Sequence, residues 1–269
     1  MKPTSIQEGD RIILLESSEQ ETEKEKERKL EKFRIHVVND TVKIPGLGIL
    51  NLSNLVGKSY GSSIEIGRRK YYLMRPTIVD KIETIKRKAQ IINPKDAAII
   101  TMYSNIGPGD TVIEAGIGSG ALSLALCDRV RPNGKVISYE IREEFANIAR
   151  KNLEDASLAN LHELKLKDIT KGIDEKDVDA VVLDLPEPWE AIPHAYQALL
   201  PSGSLAVYSP TVPQMELSVK KMWEVGFIEV KPFEILQRDW FIAEKSTRPS
   251  FDMQGHTAFL VIGRKILKK

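Results

Sequence analysis

Two patterns of apolar and polar residues divide this chain of 269 residues. Up to about residue 75, apolar and polar positions alternate in short runs that Gly, Pro and Asn-Asp separate. The runs lie at 11–16 (RIILLE), 33–38 (FRIHVV), 48–57 (GILNLSNLVG) and 62–67 (SSIEIG). Because alternation with a period of two is typical of half-buried strands, the pattern predicts a small antiparallel β-domain over residues 1–76.

From about residue 77, apolar runs of strand length alternate with segments of helical spacing. The predicted strands are 111–116, 135–140, 161–168, 179–185 and 203–210, and the predicted helices are 121–130, 142–156, 189–200 and 214–226. Such alternation is typical of a parallel, doubly wound α/β sheet. Residues 227–244 and 255–266 follow as two long strands without a crossover helix. They predict an antiparallel hairpin that closes the sheet of a second domain, residues 77–269.

Two charged segments accompany the N-terminal strands. Residues 16–33 mix both charge signs and predict a solvated loop or an exposed helix. Residues 67–76 (GRRKYYLMRP) are basic and aromatic, and a further basic helix is predicted at 82–88. Basic side chains bind phosphates while aromatic rings stack on bases, so these segments are a candidate RNA-binding surface. An ordinary strand edge explains the same pattern equally well.

Composition narrows the class of protein. Apolar residues make up 42% of the chain and charged residues 29%, as in an ordinary globular protein. No run approaches the roughly 18 apolar residues of a membrane span, and the N-terminus has no signal-peptide core. Cys127 is the only cysteine, so no internal disulfide can form; a buried thiol in a reducing cytoplasm fits. The net charge of +1 neither requires nor excludes nucleic acid.

A glycine-rich loop directly follows the first strand of the second domain. Gly116, Gly118 and Gly120 lie in GIGSGA, where bare backbone amides and a helix N-terminus can face a polar ligand. The string also satisfies the dinucleotide fingerprint G-x-G-x-x-[GA]. Glu140 ends the second strand and can accept from ribose hydroxyls of either a nicotinamide cofactor or S-adenosylmethionine (SAM). A tight turn that serves packing alone is the third interpretation.

Two later features favour SAM. The fourth strand ends in LDLPEPW (183–189), an acid-Pro-aromatic element that nicotinamide folds do not use and that SAM-dependent methyltransferases of amino groups and ring nitrogens place beside the methyl sulfonium. The second feature is the predicted C-terminal hairpin, since an antiparallel closure of a parallel sheet is the SAM-methyltransferase arrangement. The expected fold is therefore a Rossmann-like SAM-methyltransferase domain with a small N-terminal β-domain.

The sequence resembles the tRNA (adenine-N1)-methyltransferases that modify adenine 58 of the T loop, in their archaeal and bacterial single-polypeptide form. The matching motifs, in the family's order, are ILNLSNLVGKSYGS (49–62), NPKDAAIITMY (93–103), VIEAGIGSGALS (112–123), SYEIREEFA (138–146), LKDI (166–169), LDLPEPW, VYSPTVPQ (207–214) and RPSFDMQGHTAFL (248–260). The resemblance implies SAM as the cofactor, tRNA as the partner, no metal, a homotetramer and a cytoplasmic location.

The resemblance also implies roles for individual residues. The expected cofactor-binding residues are Gly116, Gly118, Ser119, Gly120, Ala121, Leu122, Glu140 for the ribose, Phe145, Asp168 for the adenine amino group, and Asp184. Phe145 fits ordinary core packing equally well. Asp184 matches the catalytic aspartate, and Tyr208 matches an aromatic residue near the target base. Trp189 is a second aromatic that could stack on that base.

The chain departs from the family at one position, and alternatives stay open. Relatives commonly carry Tyr or His where this chain has Asn93, and archaeal relatives can also modify adenine 57. A non-catalytic tRNA-binding subunit would keep the fold but lack a working cofactor loop. A protein carboxyl methyltransferase would share the glycine loop, but it would explain neither LDLPEPW nor the small β-domain.

Overall fold

The chain folds into two compact units in a computed structural model that describes residues 3–17, 31–243 and 246–267. The first unit combines Met1–Thr84 with Trp240–Pro249, and the second combines Ile85–Asp239 with Ser250–Lys269. The loop or helix predicted for residues 16–33 falls mostly on residues 18–30, which lie outside the described residues.

The first unit is built from antiparallel strands. Its elements are β1 (Arg11–Glu16), β2 (Lys32–His36), β3 (Thr41–Ile44), β4 (Gly48–Asn51), β5 (Ser63–Ile66), β6 (Arg69–Met74), helix α1 (Ile78–Glu83), and later β13 (Trp240–Ala243) and β14 (Ser246–Pro249). The main sheet has the order β2-β1-β6-β5, and β3–β4 and β13–β14 form separate ribbons. Ile12 and Leu14 of β1 pack with Tyr71 and Leu73 of β6 in a buried core. The predicted small β-domain is confirmed.

Two predicted elements of this region end early. The run at 48–57 is a strand only to Asn51, because the Asn51 side chain accepts a hydrogen bond from the amide of Ser53 (3.1 Å) and starts a 3-10 turn. The helix expected at 82–88 stops at Glu83. The amide and carbonyl of Lys86 instead bond to the side chain of Asn152, at 3.1 and 2.8 Å. Lys86 therefore cannot continue the helix.

The division between the units lies after Thr84, later than the boundary expected after residue 76. Helix α1 belongs to the first unit because Asp80 at its N-terminus accepts from Lys32 of β2 at 2.7 Å. Asp80 also closes a capping box with Thr77. The ion pair and the cap together hold α1 on the N-terminal strands.

The second unit is a seven-stranded sheet between helices. Its elements are α2 (Pro94–Tyr103), β7 (Thr111–Ala115), α3 (Ala121–Val130), β8 (Lys135–Glu140), α4 (Glu143–Asp155), β9 (His162–Leu166), β10 (Val178–Leu183), α5 (Pro188–Ala198), β11 (Leu199–Ser209), α6 (Val212–Val225), β12 (Phe227–Phe233) and β15 (Phe259–Lys265). The strand order is β12-β15-β11-β10-β7-β8-β9, and only β15 runs antiparallel to its neighbours. The doubly wound α/β prediction is confirmed. Strands β7 to β10 lie close to their predicted bounds, whereas β11 begins at Leu199 and not at residue 203, because the preceding helix α5 already ends at Ala198.

The C-terminal hairpin is present, but its first strand is shorter than expected. The run at 227–244 was predicted as one strand, whereas β12 ends at Phe233, which pairs with Leu260 of β15. Because β15 begins at Phe259, the residues that directly follow Phe233 have no partner in β15 for their backbone groups. The later part of the run forms β13, which pairs with β14 in a separate ribbon of the first unit.

The carboxyl ends of the parallel strands lie at one edge of the sheet. Gly116 follows β7, Glu140 ends β8, Asp168 follows β9 and Asp184 follows β10. In open α/β sheets this edge is where ligands bind. No helix within the described residues is long and apolar enough to cross a lipid bilayer.

Candidate active site

The glycine loop allows two strands to approach each other closely. Gly116 has φ +82°, and a Cβ there would lie 1.9 Å from the carbonyl oxygen of Asp184. Glycine is therefore required where β7 meets the segment after β10. Gly120, with φ +83°, begins α3 and would place a Cβ 3.2 Å from that of Ala149. Gly118 has φ +51° and open space around it.

Contacts of Ser119 hold the loop in place at the start of helix α3. The Ser119 carbonyl accepts from Asn152 at 2.9 Å, and its hydroxyl accepts from the Lys88 amide at 3.3 Å. Ala121 and Leu122 are the first residues of α3, where amides have no intrahelical acceptor and the helix dipole favours a negative group. The loop thus offers an anion-binding helix N-terminus.

Glu140 is buried and presents one free oxygen. Its Oε1 accepts from the amides of Ile141 (3.0 Å) and Arg142 (2.9 Å) and from Nε of Arg142 (3.1 Å). Its Oε2 has only a 3.5 Å contact with the Arg142 guanidinium. The side chain is thereby locked in one orientation, and Oε2 is left to accept from a ligand.

Asp168 shows the same arrangement on the neighbouring strand. Its Oδ1 accepts from the amide (2.9 Å) and the hydroxyl (2.7 Å) of Thr170, and these bonds lower the pKa of the carboxyl. Among the described residues, Oδ2 has no hydrogen-bond partner. Asp168 is therefore a fixed, ionised acceptor at the edge of the sheet.

Asp184 has no hydrogen-bond partner for its carboxylate among the described residues. Burial raises its pKa to about 7, and the nearby Arg142 guanidinium opposes the shift only in part. A carboxylate that is partly withdrawn from water and unpaired interacts strongly with a cationic ligand. This is the arrangement expected of a group that stabilises positive charge.

These side chains surround one cavity of about 480 Å³. It is lined by Gly116, Tyr139, Glu140, Ile141, Arg142, Lys167, Asp168, Ile169, Thr170, Lys171, Asp184, Leu185, Pro186, Glu187 and Glu190. The volume lies within the roughly 300–1,000 Å³ range of cofactor sites. Four predicted site residues, Gly116, Glu140, Asp168 and Asp184, are brought together here. Within the described residues, no group of His, Cys, Asp or Glu could hold a metal ion.

The predicted aromatic residues lie outside the cavity lining. Phe145 is 7% exposed, and the Arg142 guanidinium covers its ring at 4.0 Å, so its contact with a ligand would pass through Arg142. Tyr208 is 8% exposed and follows Val207, which pairs with Leu183, so it lies beside Asp184 in the adjacent strand. Trp189 packs on the core of the sheet.

Sequence reasoning missed Arg142 and Glu114. Arg142 contacts Glu140, faces Asp184 and covers Phe145; its position two residues after a strand-ending acid was the available signal. Glu114 lies inside β7, where its carboxylate accepts from the hydroxyls of Ser123 (2.5 Å) and Ser138 (2.6 Å). Because Glu114 alternates with apolar residues, the sequence pattern marks it only as an ordinary strand residue and not as a candidate site residue.

Glu114 makes the stability of the fold pH-dependent. It is 1% exposed, and burial raises its pKa from an ordinary 4.5 to about 7. The folded protein therefore binds more protons than the unfolded chain between these pH values, and the stability contributed by Glu114 is lost as pH rises through 7. Glutamine does not titrate, so the Glu114→Gln variant does not undergo this loss. Its free energy of unfolding minus that of the parent should therefore increase by about 3 kcal/mol between pH 4.5 and pH 8.

Urea denaturation of both proteins at several pH values measures this difference. Glu154→Gln, on the exposed face of α4, is the matched control for replacing one carboxyl group by an amide. Parallel pH profiles for the parent and Glu114→Gln would contradict the assignment.

The sheet order separates two classes that share a glycine-rich loop. A dinucleotide-binding fold has six parallel strands in the order 3-2-1-4-5-6, whereas here a reversed strand, β15, lies between β11 and the edge strand. That insertion, with the acidic residues at the carboxyl edge, defines a Rossmann-like methyltransferase. The chain belongs to the family described as the tRNA methyltransferase complex GCD14 subunit, whose sequence pattern matches residues 70–257.

Individual relatives agree with this family. The tRNA (adenine(57)-N(1)/adenine(58)-N(1))-methyltransferase TrmI of Methanocaldococcus jannaschii is 36% identical in an alignment 247 residues long that covers 81% of this chain and 86% of that protein. A SAM-dependent O-methyltransferase of Thermotoga maritima superimposes with a TM-score of 0.86 at 33% identity, covering 99% of this chain and 96% of that one. The tRNA (m1A58) methyltransferase TrmI of Aquifex aeolicus superimposes with a TM-score of 0.79 at 27% identity, covering 98% of this chain and 100% of that one. The family resemblance and the expected fold class are confirmed.

Proposed function

We propose that this protein transfers a methyl group from SAM to N1 of adenine 58 in the T loop of tRNA, and that adenine 57 is a second target. The observation that carries the proposal is the unpaired Asp184 carboxylate at the edge of the cavity, next to the glycine loop. The Methanocaldococcus relative, named for both adenines, supports the second target.

The residues of the cavity fit SAM. The Oε2 of Glu140 would accept from the ribose hydroxyls, the Oδ2 of Asp168 from the adenine amino group, and the N-terminus of α3 would hold the methionine carboxylate. Gly118 leaves open space above the loop for a close approach. When bound, SAM supplies an electrophilic methyl group.

Asp184 has one task in this reaction. Adenine N1 is a lone-pair nucleophile, so the protein need not remove a proton before methyl transfer. The methylated ring becomes cationic, with charge shared onto the exocyclic amino group. The Asp184 carboxylate accepts an N–H bond from that group and stabilises the charge as it develops. Catalysis is otherwise alignment of the base within the cavity.

The target base must leave its stack before N1 can be reached. Tyr208 lies beside Asp184 and is the ring best placed to contact that base. A non-catalytic subunit would have no use for the fixed acceptors of Glu140 and Asp168, so these residues favour a catalytic chain.

The N-terminal unit supplies RNA contacts in this proposal. Several of its basic residues are already engaged: Arg69 pairs with Glu16 at 3.1 Å, and the Arg75 guanidinium lies 3.7 Å from the Tyr60 ring. Arg68 is exposed and makes no ion pair among the described residues, so it is the cation of this segment that is available to a phosphate. Such contacts fix the position of RNA rather than its sequence.

Product mapping tests the proposed function. Incubation of the protein with SAM and unmodified tRNA, followed by nuclease digestion and mass spectrometry, should give N1-methyladenosine in the T loop. The Thermotoga relative bears the name of an O-methyltransferase, so 2′-O-methylated nucleosides are the informative alternative product. Unchanged RNA together with a methylated protein would refute the proposal.

A homotetramer acting in the cytoplasm completes the proposal. Strand β12 lies at an edge of the sheet with Ile228 45% exposed, and uncovered strand edges favour association. Light scattering that shows a monomer at micromolar concentration would contradict the tetramer.

A further inference from the structure

The segment that leads into β15 continues the carboxyl edge of the sheet beyond Tyr208. Strand β15 runs antiparallel to β11, and its second residue, Leu260, pairs with Tyr208. The chain therefore enters β15 at the same edge at which the parallel strands end. Asp184 follows β10, the neighbour of β11 on the other side. Asp184, Tyr208 and residues 254–257, here called the edge segment, thus follow one another along this edge.

Two side chains of the edge segment are bound to the start of helix α2. An asparagine at the N-cap of a helix ordinarily accepts from the first helical amides. Asn93 is the N-cap of α2 but makes no such bond, and its side-chain amide donates instead to Gln254 at 3.0 Å. In the next turn, the Lys95 ammonium donates to the hydroxyl of Thr257 at 2.8 Å. Helix α2 therefore holds both ends of the edge segment.

His256 binds the middle of the edge segment to two further strands. Its Nε2 lies 2.8 Å from the carbonyl oxygen of Pro210, which follows β11, and its Nδ1 lies 3.1 Å from a carboxylate oxygen of Glu234, which follows β12. Its ring packs on Phe259 with the centroids 4.8 Å apart. Residues 254–256 are themselves exposed. Ordering an exposed segment costs conformational entropy, so contacts that fix one are typical of a surface preorganised for a ligand.

The two partners of His256 require protons on both ring nitrogens. A carbonyl oxygen and an ionised carboxylate only accept, whereas a neutral imidazole has one N–H, so either neutral tautomer directs a lone pair at an acceptor. The imidazolium donates to both. The bonds to Pro210 and then Glu234 raise the pKa of His256, while partial burial and the nearby Lys95 ammonium lower it to a smaller extent. His256 is therefore a cation when the segment is fixed as described.

We propose that His256 is a positioning residue whose imidazolium holds the edge segment against the ends of β11 and β12, and that the fixed segment is a contact surface for the tRNA nucleotide that enters beside Tyr208. The inference rests on the proposed function, because it takes tRNA to approach this edge. His256 acts through the segment and not on the reacting atoms. Loss of its proton breaks one of its two bonds, so the segment loosens, and tRNA binds more weakly, as pH rises through the pKa of the ring.

Steady-state methylation at saturating SAM tests this role. His256→Phe keeps a ring against Phe259 but removes both N–H donors. It should raise KM for tRNA about tenfold, as expected when two hydrogen bonds are lost, and change kcat and SAM affinity less than about twofold. His256→Gln, which keeps one donating group, should give an intermediate KM. A lowered kcat with an unchanged KM in His256→Phe would overturn the proposal.

A double-mutant cycle shows whether the effect passes through the ion pair. Glu234→Gln should raise KM for tRNA about threefold in the parent, the size of coupling found between contacting residues, and should have no effect in the His256→Phe background. Glu154→Gln, the same chemical change on the exposed face of α4, should leave KM unchanged. An equal effect of Glu234→Gln in both backgrounds would refute the role of His256.

A second measurement does not depend on activity. Nitrogen-15 labelling of histidine reports by NMR which ring nitrogens carry protons, and His256→Phe identifies the signals. The titration midpoint of His256 should lie higher in the folded protein than in the urea-unfolded chain, and Glu234→Gln should lower it while Glu154→Gln should not. A midpoint that is equal in the folded and unfolded chains overturns the proposal. The expected midpoints in a protein that leaves tRNA unmethylated would instead refute the proposed function, while the fixing of the edge segment by His256 would stand.

Discussion

Asp184→Asn is expected to lower the single-turnover rate of adenine methylation by about 10²–10³ while leaving tRNA affinity nearly unchanged. The substitution keeps the size of the side chain but removes the negative charge that faces the developing cation. Phosphate contacts made elsewhere set most of the tRNA affinity. Asp184→Ala should be slower still, because it also removes the acceptor for the exocyclic amino group. Saturating SAM and tRNA isolate the chemical step from binding.

The pH dependence of the same reaction tests whether the negative charge of the Asp184 carboxylate is what speeds methyl transfer. Burial raises the pKa of Asp184 to about 7, so the carboxylate is protonated and neutral below that pH. In the parent, kcat/KM should rise with pH and level off above about 7, since this ratio reports groups of the free enzyme. Glu154→Gln should behave like the parent. A rate for Asp184→Ala within a few-fold of the parent would make the aspartate structural.

Gly116→Ala should abolish SAM binding at ordinary cofactor concentrations. The added Cβ would lie 1.9 Å from the Asp184 carbonyl oxygen and 3.0 Å from its carbon, both backbone atoms that cannot rotate away. The clash must break the 2.9 Å hydrogen bond from the Asp184 amide to Ala115, which moves the segment after β10 away from β7. Overpacking of this kind costs about 3 kcal/mol or more, a factor of at least roughly 100 in affinity.

A substitution at a second glycine distinguishes the effect of the steric clash at Gly116 from the effect of placing alanine at a positive φ. Gly9 has φ +87°, nearly the value at Gly116, but a Cβ there meets nothing within 4 Å. Gly9→Ala should therefore show only the cost of a left-handed residue, about 1–2 kcal/mol of stability, with unchanged SAM affinity. Calorimetric titration with SAM and thermal melting of both variants measure the two effects. Equal SAM affinity in Gly116→Ala and the parent would disprove the close-approach argument.

Elements whose pattern is local could be predicted from sequence. Helix α3 at 121–130 and strand β8 at 135–140 have their predicted bounds, because continuous apolar faces determine both. Glu140 and Asp184 could also be predicted as site residues, because each comes at the carboxyl end of a parallel strand and these ends lie at one edge of the sheet. Which oxygen of Glu140 is free could not be predicted, because it depends on the rotamer of Arg142.

Features that depend on distant partners were beyond the sequence. The end of β12 at Phe233 is set by where β15 begins, more than twenty residues later. The hydrogen bond from Lys95 to Thr257 spans 162 positions, and no local spacing indicates it. The same holds for the close approach at Gly116, whose cause is the carbonyl of Asp184 rather than the loop itself.

The discontinuous first unit has a consequence for synthesis on the ribosome. Its last ribbon, Trp240–Pro249, follows the 155 residues 85–239 that belong to the other unit. The N-terminal strands emerge first, yet their unit stays incomplete until nearly the whole chain has been translated. Contacts of such long sequence separation slow folding, and domains otherwise fold as they emerge. The other unit also waits for its strand β15 (Phe259–Lys265), so neither unit can finish folding until nearly the whole chain has been translated. The N-terminal strands of a nascent chain stalled before residue 240 should therefore resist proteolysis less than they do in the released protein.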